Sequence, residues 1–162
     1  MKGLVLERGE EYYTDLEKVF LAINNIHTEF NWLITDCCAY PKDERINELL
    51  SREYCFLSGS ELDEIVKSED FQLIWGVLSG FKKGISLKEV MKYDLPYAEG
   101  NGELWKNPVS IQHPLAEVEI ISWDGEKTLI ISRNEKIVSD FRKSFLLSED
   151  LKNYNERLEK NT

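Results

Sequence analysis

No apolar run in the sequence approaches the roughly 20 residues that a membrane-spanning helix requires. The opening MKGLVLERGEEYY also turns acidic before the apolar segment of a signal peptide could form. No membrane partner is expected, and a cytoplasmic location is the default that follows. Histidine and cysteine are both scarce: His27 and His113 stand far apart, and Cys37, Cys38 and Cys55 make an odd count. Such usage excludes a disulfide framework and lacks the paired, closely spaced ligands of a zinc site, so no metal is expected. The nine glycines never fall into a Walker or dinucleotide pattern, which removes the phosphate-loop classes and leaves no cofactor implied.

Positive charge is also short, with 20 basic residues against 30 acidic ones and a net charge of -10. A surface of that sign disfavours direct binding to a nucleic-acid backbone. The same field speeds encounter with a basic protein, because opposite net charges steer diffusion. Solubility is the other physical use of such a balance.

What is present is enough for one domain, 1–162, built on 42% hydrophobic residues. GLVLE near the start reads as a short strand. EEYYTDLEKVFLAINN places Tyr13, Leu16, Val19, Phe20 and Ile23 on one helical stripe. EFNWLITDCCAYP and YCFLSG read as strands on either side of a short helix in KDERINELL, and Ser60 is expected to cap ELDEIVKS. EDFQLIWGVLSGF alternates as a strand, with Phe71, Leu73, Trp75 and Val77 on one side, and its Gly76 marks a bulge or a close backbone approach.

Ser86 and Glu89 have the spacing of a capping box. The clearest local signal is AEVEIISWDGEKTLIIS, two isoleucine-rich runs around Asp124-Gly125, a pair that tolerates the positive φ of a hairpin turn. Two amphipathic helices close the chain, one capped by Asn134 and one opened by a capping serine in SEDL. Strands mixed with helices around a late hairpin predict an α+β fold: a single, mostly antiparallel sheet with helices packed mainly on one face.

One segment has no regular period. YDLPYAEGNGELWKNP, residues 93–108, combines Tyr93, Tyr97 and Trp105 with Asp94, Glu99 and Glu103 in a stretch broken by glycine and proline. Rigid aromatic area beside unpaired acids is what a recognition surface for a basic partner uses. The candidate contact residues are therefore Asp94, Tyr97, Glu99, Glu103 and Trp105, with Asp124 at the hairpin turn. The alternative is an Ω-type cover, folded back onto the sheet with its acids left in water.

Signals for chemistry are weaker. No serine stands in a nucleophile-elbow context, and Cys55 lies in an apolar strand where a thiol is inert. His113, held extended by Pro114, could serve as acid, base or ligand if an orienting partner faced it.

HPLAE (His113–Glu117), WDG (Trp123–Gly125), LIIS (Leu129–Ser132) and SEDL (Ser148–Leu151) together resemble small bacterial immunity-type proteins found beside polymorphic or contact-dependent toxins. The resemblance implies a non-enzymatic protein that blocks a cognate toxin, often a nuclease, by covering its active site. It carries over no contact residue. The leading reading is thus a non-enzymatic acidic binding protein. The alternative is a small-molecule-binding protein or enzyme with a pocket near His113.

Overall fold

Asp124 and Gly125 adopt φ of 52° and 64°, the left-handed region that lets a tight turn match the twist of its flanking strands. They join β5 (Val118–Trp123) to β6 (Lys127–Ser132) in the hairpin expected from the sequence. The remaining strands are β1 (Lys2–Leu6), β2 (Phe30–Ala39), β3 (Tyr54–Ser58), β4 (Leu73–Lys82) and β7 (Glu149–Asp150). The helices are α1 (Leu16–Ala22), α2 (Glu44–Leu50), α3 (Gly59–Ser68), α4 (Leu87–Val90), α5 (Glu135–Ser144) and α6 (Leu151–Lys160). This computed structural model describes every residue, Met1–Thr162. The seven strands form one antiparallel sheet in the order β3-β2-β4-β5-β6-β1-β7, an α+β fold.

Both faces of the sheet are covered. On the first, α1, α2, α3 and α5 bury Phe20, Ile46, Leu62 and Phe141 against Trp32, Ile34, Leu78, Ile120 and Ile130. On the second, α6, the single turn α4 and an irregular segment bury Leu151, Val90, Ala98, Leu104 and Ile111 against Leu33, Val77, Phe81, Ile121 and Leu129. Successive side chains alternate between faces, so a strand buried on both sides reads as a continuous apolar run. That is why the hairpin shows isoleucine pairs in place of a polar alternation.

Local departures from expectation each have a visible cause. The first helix begins at Leu16 rather than in EEYY, because Thr14 takes φ 60° and its N–H donates to Thr128 Oγ1 at 2.9 Å. This pins the chain to β6 before Asp15 caps the helix. Ser58, not Ser60, caps α3, its Oγ accepting from Glu61 N at 3.1 Å while Glu61 returns a bond to Ser58 N at 3.0 Å. Gly59 then opens the helix, since a Cβ there would collide with the backbone of His27 and Phe30. Asp150, not Ser148, caps α6, and Ser148 Oγ instead donates to Phe145 O.

The bulge lies opposite Gly76 rather than at it: Thr35 pairs with Val77 and Cys38 with Trp75, so β2 carries the extra residue and Asp36 has φ 50°. A second irregularity follows, with Cys38 paired to Trp75 but Ala39 to Leu73, so β4 carries an extra residue at Ile74. Leu73 and Phe71 join the first core, while Trp75 and Val77 face the second.

Gly80 is the closest backbone approach within the sheet. A Cβ on it would sit 2.7 Å from Val118 Cγ1 and 3.0 Å from the Trp32 ring. Trp32 cannot yield, being fully buried with its indole N–H donated to His27 O at 2.9 Å. Gly80→Ala is therefore expected to lower the unfolding free energy by about 1–3 kcal/mol. The check is a urea titration in which the midpoint falls and the slope is unchanged.

Candidate functional site

The irregular segment between α4 and β5 is the Ω-type cover, and two carboxylates hold it. Asp36, on the bulge of β2, accepts from the backbone N–H groups of Ala98 and Glu99, both at 2.8 Å through Oδ2. Its positive φ is what turns the side chain out of the sheet toward the segment. Gln112 supplies a second tie: Oε1 accepts from Tyr97 N at 3.0 Å and from Asn101 Nδ2 at 3.1 Å. Gln112 N donates in turn to Glu119 Oε2 at 3.0 Å.

Glu119 is fully buried in β5, on the face shared by Ile121 and, in register across β4, Ser79. No cation faces it. Glu119 Oε1, Gln112 Nε2, Ser79 Oγ and Thr35 Oγ1 are all buried without a protein hydrogen-bond partner, so a polar strip runs through the second core. Burial pushes the Glu119 carboxyl up to about 7, against the opposing pull of its bonds from Gln112. Sequence reasoning passed over this residue. The available signal was a single acid inside VEIIS, two positions before Ile121 and therefore on the same face.

Of the expected contact residues, Tyr97 is half exposed and Asp94, Glu99 and Glu103 are exposed, while Ala98, Asn101 and Leu104 between them are buried. The segment is thus both a cover and a displayed surface. Trp105 is only partly accessible. It packs edge-on to Trp123 at 5.0 Å and against Tyr154 at 5.7 Å, and Trp123 meets Trp75 at 5.0 Å, so one aromatic row joins β4, β5, the cover and α6.

Through Trp123, the structure brings Trp105 beside the exposed Asp124. Through Asp36, it hangs Glu99 near the same end of the sheet. Asp94 is carried the other way, since its neighbour Tyr93 packs on His113 at 5.2 Å and His113 on Phe81 near the end of β4.

The end of the sheet that holds Asp124 is acidic beyond the expected set. There the loop after β1 and the hairpin turn enclose an open groove of about 490 Å³ lined by Glu7, Glu11, Tyr12, Tyr13, Glu126 and Lys127. Tyr12 Oη donates to Asp70 at 3.0 Å, and burial followed by that bond raises its phenol to about 12. At the opposite end lie Lys2, Lys82, Lys83 and Arg133, at the start of β1, the end of β4 and just past β6, with Lys2 paired to Glu135 at 3.5 Å and Lys82 to Glu117 at 3.6 Å.

Neither histidine offers a free base. His113 is fully buried, with Nε2 at 2.8 Å from Val90 O and Nδ1 accepting from Leu115 N at 3.1 Å. That pairing defines the neutral tautomer with both nitrogens committed to backbone. His27 stacks on Phe20 at 3.8 Å and bonds Asp63 at 2.8 Å, and burial holds its pKa below the usual value. All three cysteines are unpaired, and burial pushes Cys37 up to about 12 and Cys55 to about 11, far from nucleophilic. Nowhere do three or more His, Cys, Asp or Glu side chains converge as a metal site would need. No helix is long and apolar enough to cross a membrane.

The chain belongs to DUF2691, a family of proteins of unknown function, whose model matches residues 1–104. That span includes Asp36, the loop after β1 and most of the cover, and it stops before the hairpin. Neither a curated protein nor a solved structure matches the chain.

Glu119 makes stability fall as pH rises. Its folded pKa is raised, so its contribution is unimpaired below the ordinary carboxylate range. A penalty then grows from about pH 4.5 to about 7, reaching about 3 kcal/mol. His27, depressed in the folded state, acts oppositely below its unfolded pKa. Glu119→Gln removes the first effect alone. The variant should match the wild type near pH 4.5 and gain on it steadily to about pH 7, as read by denaturant unfolding at a series of pH values. A constant difference would mean that the carboxyl is not the titrating group.

Proposed function

We propose that this protein is a non-enzymatic binding protein that captures a basic protein partner, in the manner of an immunity protein covering the active site of a cognate bacterial toxin domain. A nuclease domain suits the role, because a surface that grips phosphate is itself basic. Contact is made by Tyr97, Glu99, Glu103, Trp105 and Asp124, with Asp94 left out because Tyr93 beside it is drawn onto His113 toward the other end. The mechanism is steric occlusion, and no cofactor takes part. The observation that carries the reading is the gathering of acids at one end of the strands, where Glu99 and Asp124 stand with Glu7, Glu11, Asp70 and Glu126. At the other end Lys2 and Lys82 are already paired with Glu135 and Glu117. A local excess of acid steers an approaching basic surface toward the acidic end.

The surface is also pre-organised. Tyr97 and Glu99 are fixed through their own backbone N–H groups by Gln112 and Asp36, so little loop entropy is lost on contact. Tyrosine on such a frame supplies rigid buried area, and the surrounding acids supply sign.

In co-expression with the product of the adjacent gene, a toxic neighbour should be neutralised, with growth restored and a stable complex formed; a neighbour that is not toxic counts against the immunity reading. In the combined variant Glu99→Lys, Glu103→Lys and Asp124→Asn, association should slow by about tenfold or more at low salt and approach the wild-type rate as salt rises. Asparagine is chosen at Asp124 because it tolerates the positive φ there. Folding stability should move by less than about 0.5 kcal/mol, since all three side chains are exposed. An association rate indifferent to both salt and charge reversal would remove the steering mechanism, and failure to neutralise the toxin would remove the immunity reading.

A further inference from the structure

Beyond protein capture, and resting on observations of its own although it shares Trp105 with that surface, a groove beside α6 has the make-up of a small-molecule site. It is an open space of about 790 Å³ between the turn at Gly102–Asn107 and the last turns of α6, within the 300–1,000 Å³ span usual for ligand pockets. Trp105 and Leu158 form its apolar part, and Lys106, Asn107, Asn155 and Glu159 its polar part. We propose that this groove binds a neutral polyhydroxylated ligand of the carbohydrate class.

Three features favour that chemistry. First, Trp105 is held in place by Trp123 and Tyr154 and lines the groove with a fixed, partly accessible ring. Such a surface packs against the C–H face of a sugar without first having to be ordered. Second, the amides are underused. Asn155 is 2% exposed, yet its Nδ2 reaches Leu104 O only at 3.4 Å and Asn107 Oδ1 only at 3.5 Å, and its Oδ1 has no protein partner. The terminal torsion of asparagine is broad and soft, so rotation can turn a donor and an acceptor toward a ligand over Trp105. Asn107 spends Nδ2 on Lys152 O at 3.0 Å, and its Oδ1 has only the long contact from Asn155.

Third, the electrostatics reject anions. The lining cation, Lys106, is tied to Glu103 at 2.6 Å, whereas the carboxylate of Glu159 makes no ion pair. A carboxylate with two amides accepts from hydroxyl donors and repels phosphate. A nucleotide is disfavoured for the same reason.

The test is a ¹⁵N-resolved NMR titration of the full chain with maltotriose, cellotriose and chitotriose, with adenosine and inorganic phosphate as competing chemistries. At least one trisaccharide should cause saturable shifts, the largest at the Trp105 indole N–H and the Asn155 side-chain amide. Glu159→Ala, on the exposed lip where folding is indifferent, should weaken that binding several-fold. Trp105→Leu should abolish it while the rest of the spectrum stays dispersed. Absence of saturation by all three saccharides up to about 10 mM, beyond the millimolar range of weak ligands, overturns the proposal. Saturation that Glu159→Ala and a folded Trp105→Leu both leave unchanged places the binding elsewhere and overturns it equally. Preference for adenosine or phosphate overturns the ligand class.

Discussion

A sheet buried on both faces needs two covers, and here only one of them is helical throughout. The second is largely an irregular segment whose backbone polar groups cannot satisfy one another as a helix would. Two carboxylates meet that need at its most critical points. Asp36 receives two consecutive N–H groups, and Glu119 receives the Gln112 N–H whose side chain receives Tyr97 and Asn101. The placement of every exposed group on the segment depends on these ties.

The two carboxylates stand in opposite environments. Asp36 sits at the margin of the second core, where a positive φ on a bulge turns it outward and solvent shares its charge. Glu119 lies in the middle of the sheet beside Ser79 and Gln112, where several polar atoms lack partners. A charged group in that position is costly, so the second core trades stability for a fixed surface. The aromatic row from Trp75 through Trp123 and Trp105 to Tyr154 offsets part of this by tying the far side of the cover to β5 and α6.

The two proposed roles use this frame differently. On these proposals the acidic end of the strands would offer charge and tyrosine to a protein, and the trough between the cover and α6 would offer a tryptophan wall and amides to a small ligand. Both rest on the same pinned segment: Tyr97 and Glu99 stand on the stretch held by Asp36, and Trp105, shared by the two, on the stretch held by the aromatic row. A histidine-centred site has no such support, since His113 spends both nitrogens holding α4 and its own loop in place.

Much of this was legible from residues alone, where the physics is local. The Asp124-Gly125 turn, the Ser86–Glu89 box, the Asn134 cap and the paired runs of the hairpin depend on φ preference, short hydrogen bonds and side-chain period, all set within a few residues. Tertiary contact decided the rest. Thr128 stopped the first helix from starting early, the backbone of His27 required glycine at 59, and the register shift at Ile74 put Leu73 in the other core from Trp75. The cover's dual nature and the burial of Glu119 follow from which strands lie side by side. Burial and charge cost depend on neighbours distant in the chain, and no window of sequence contains them.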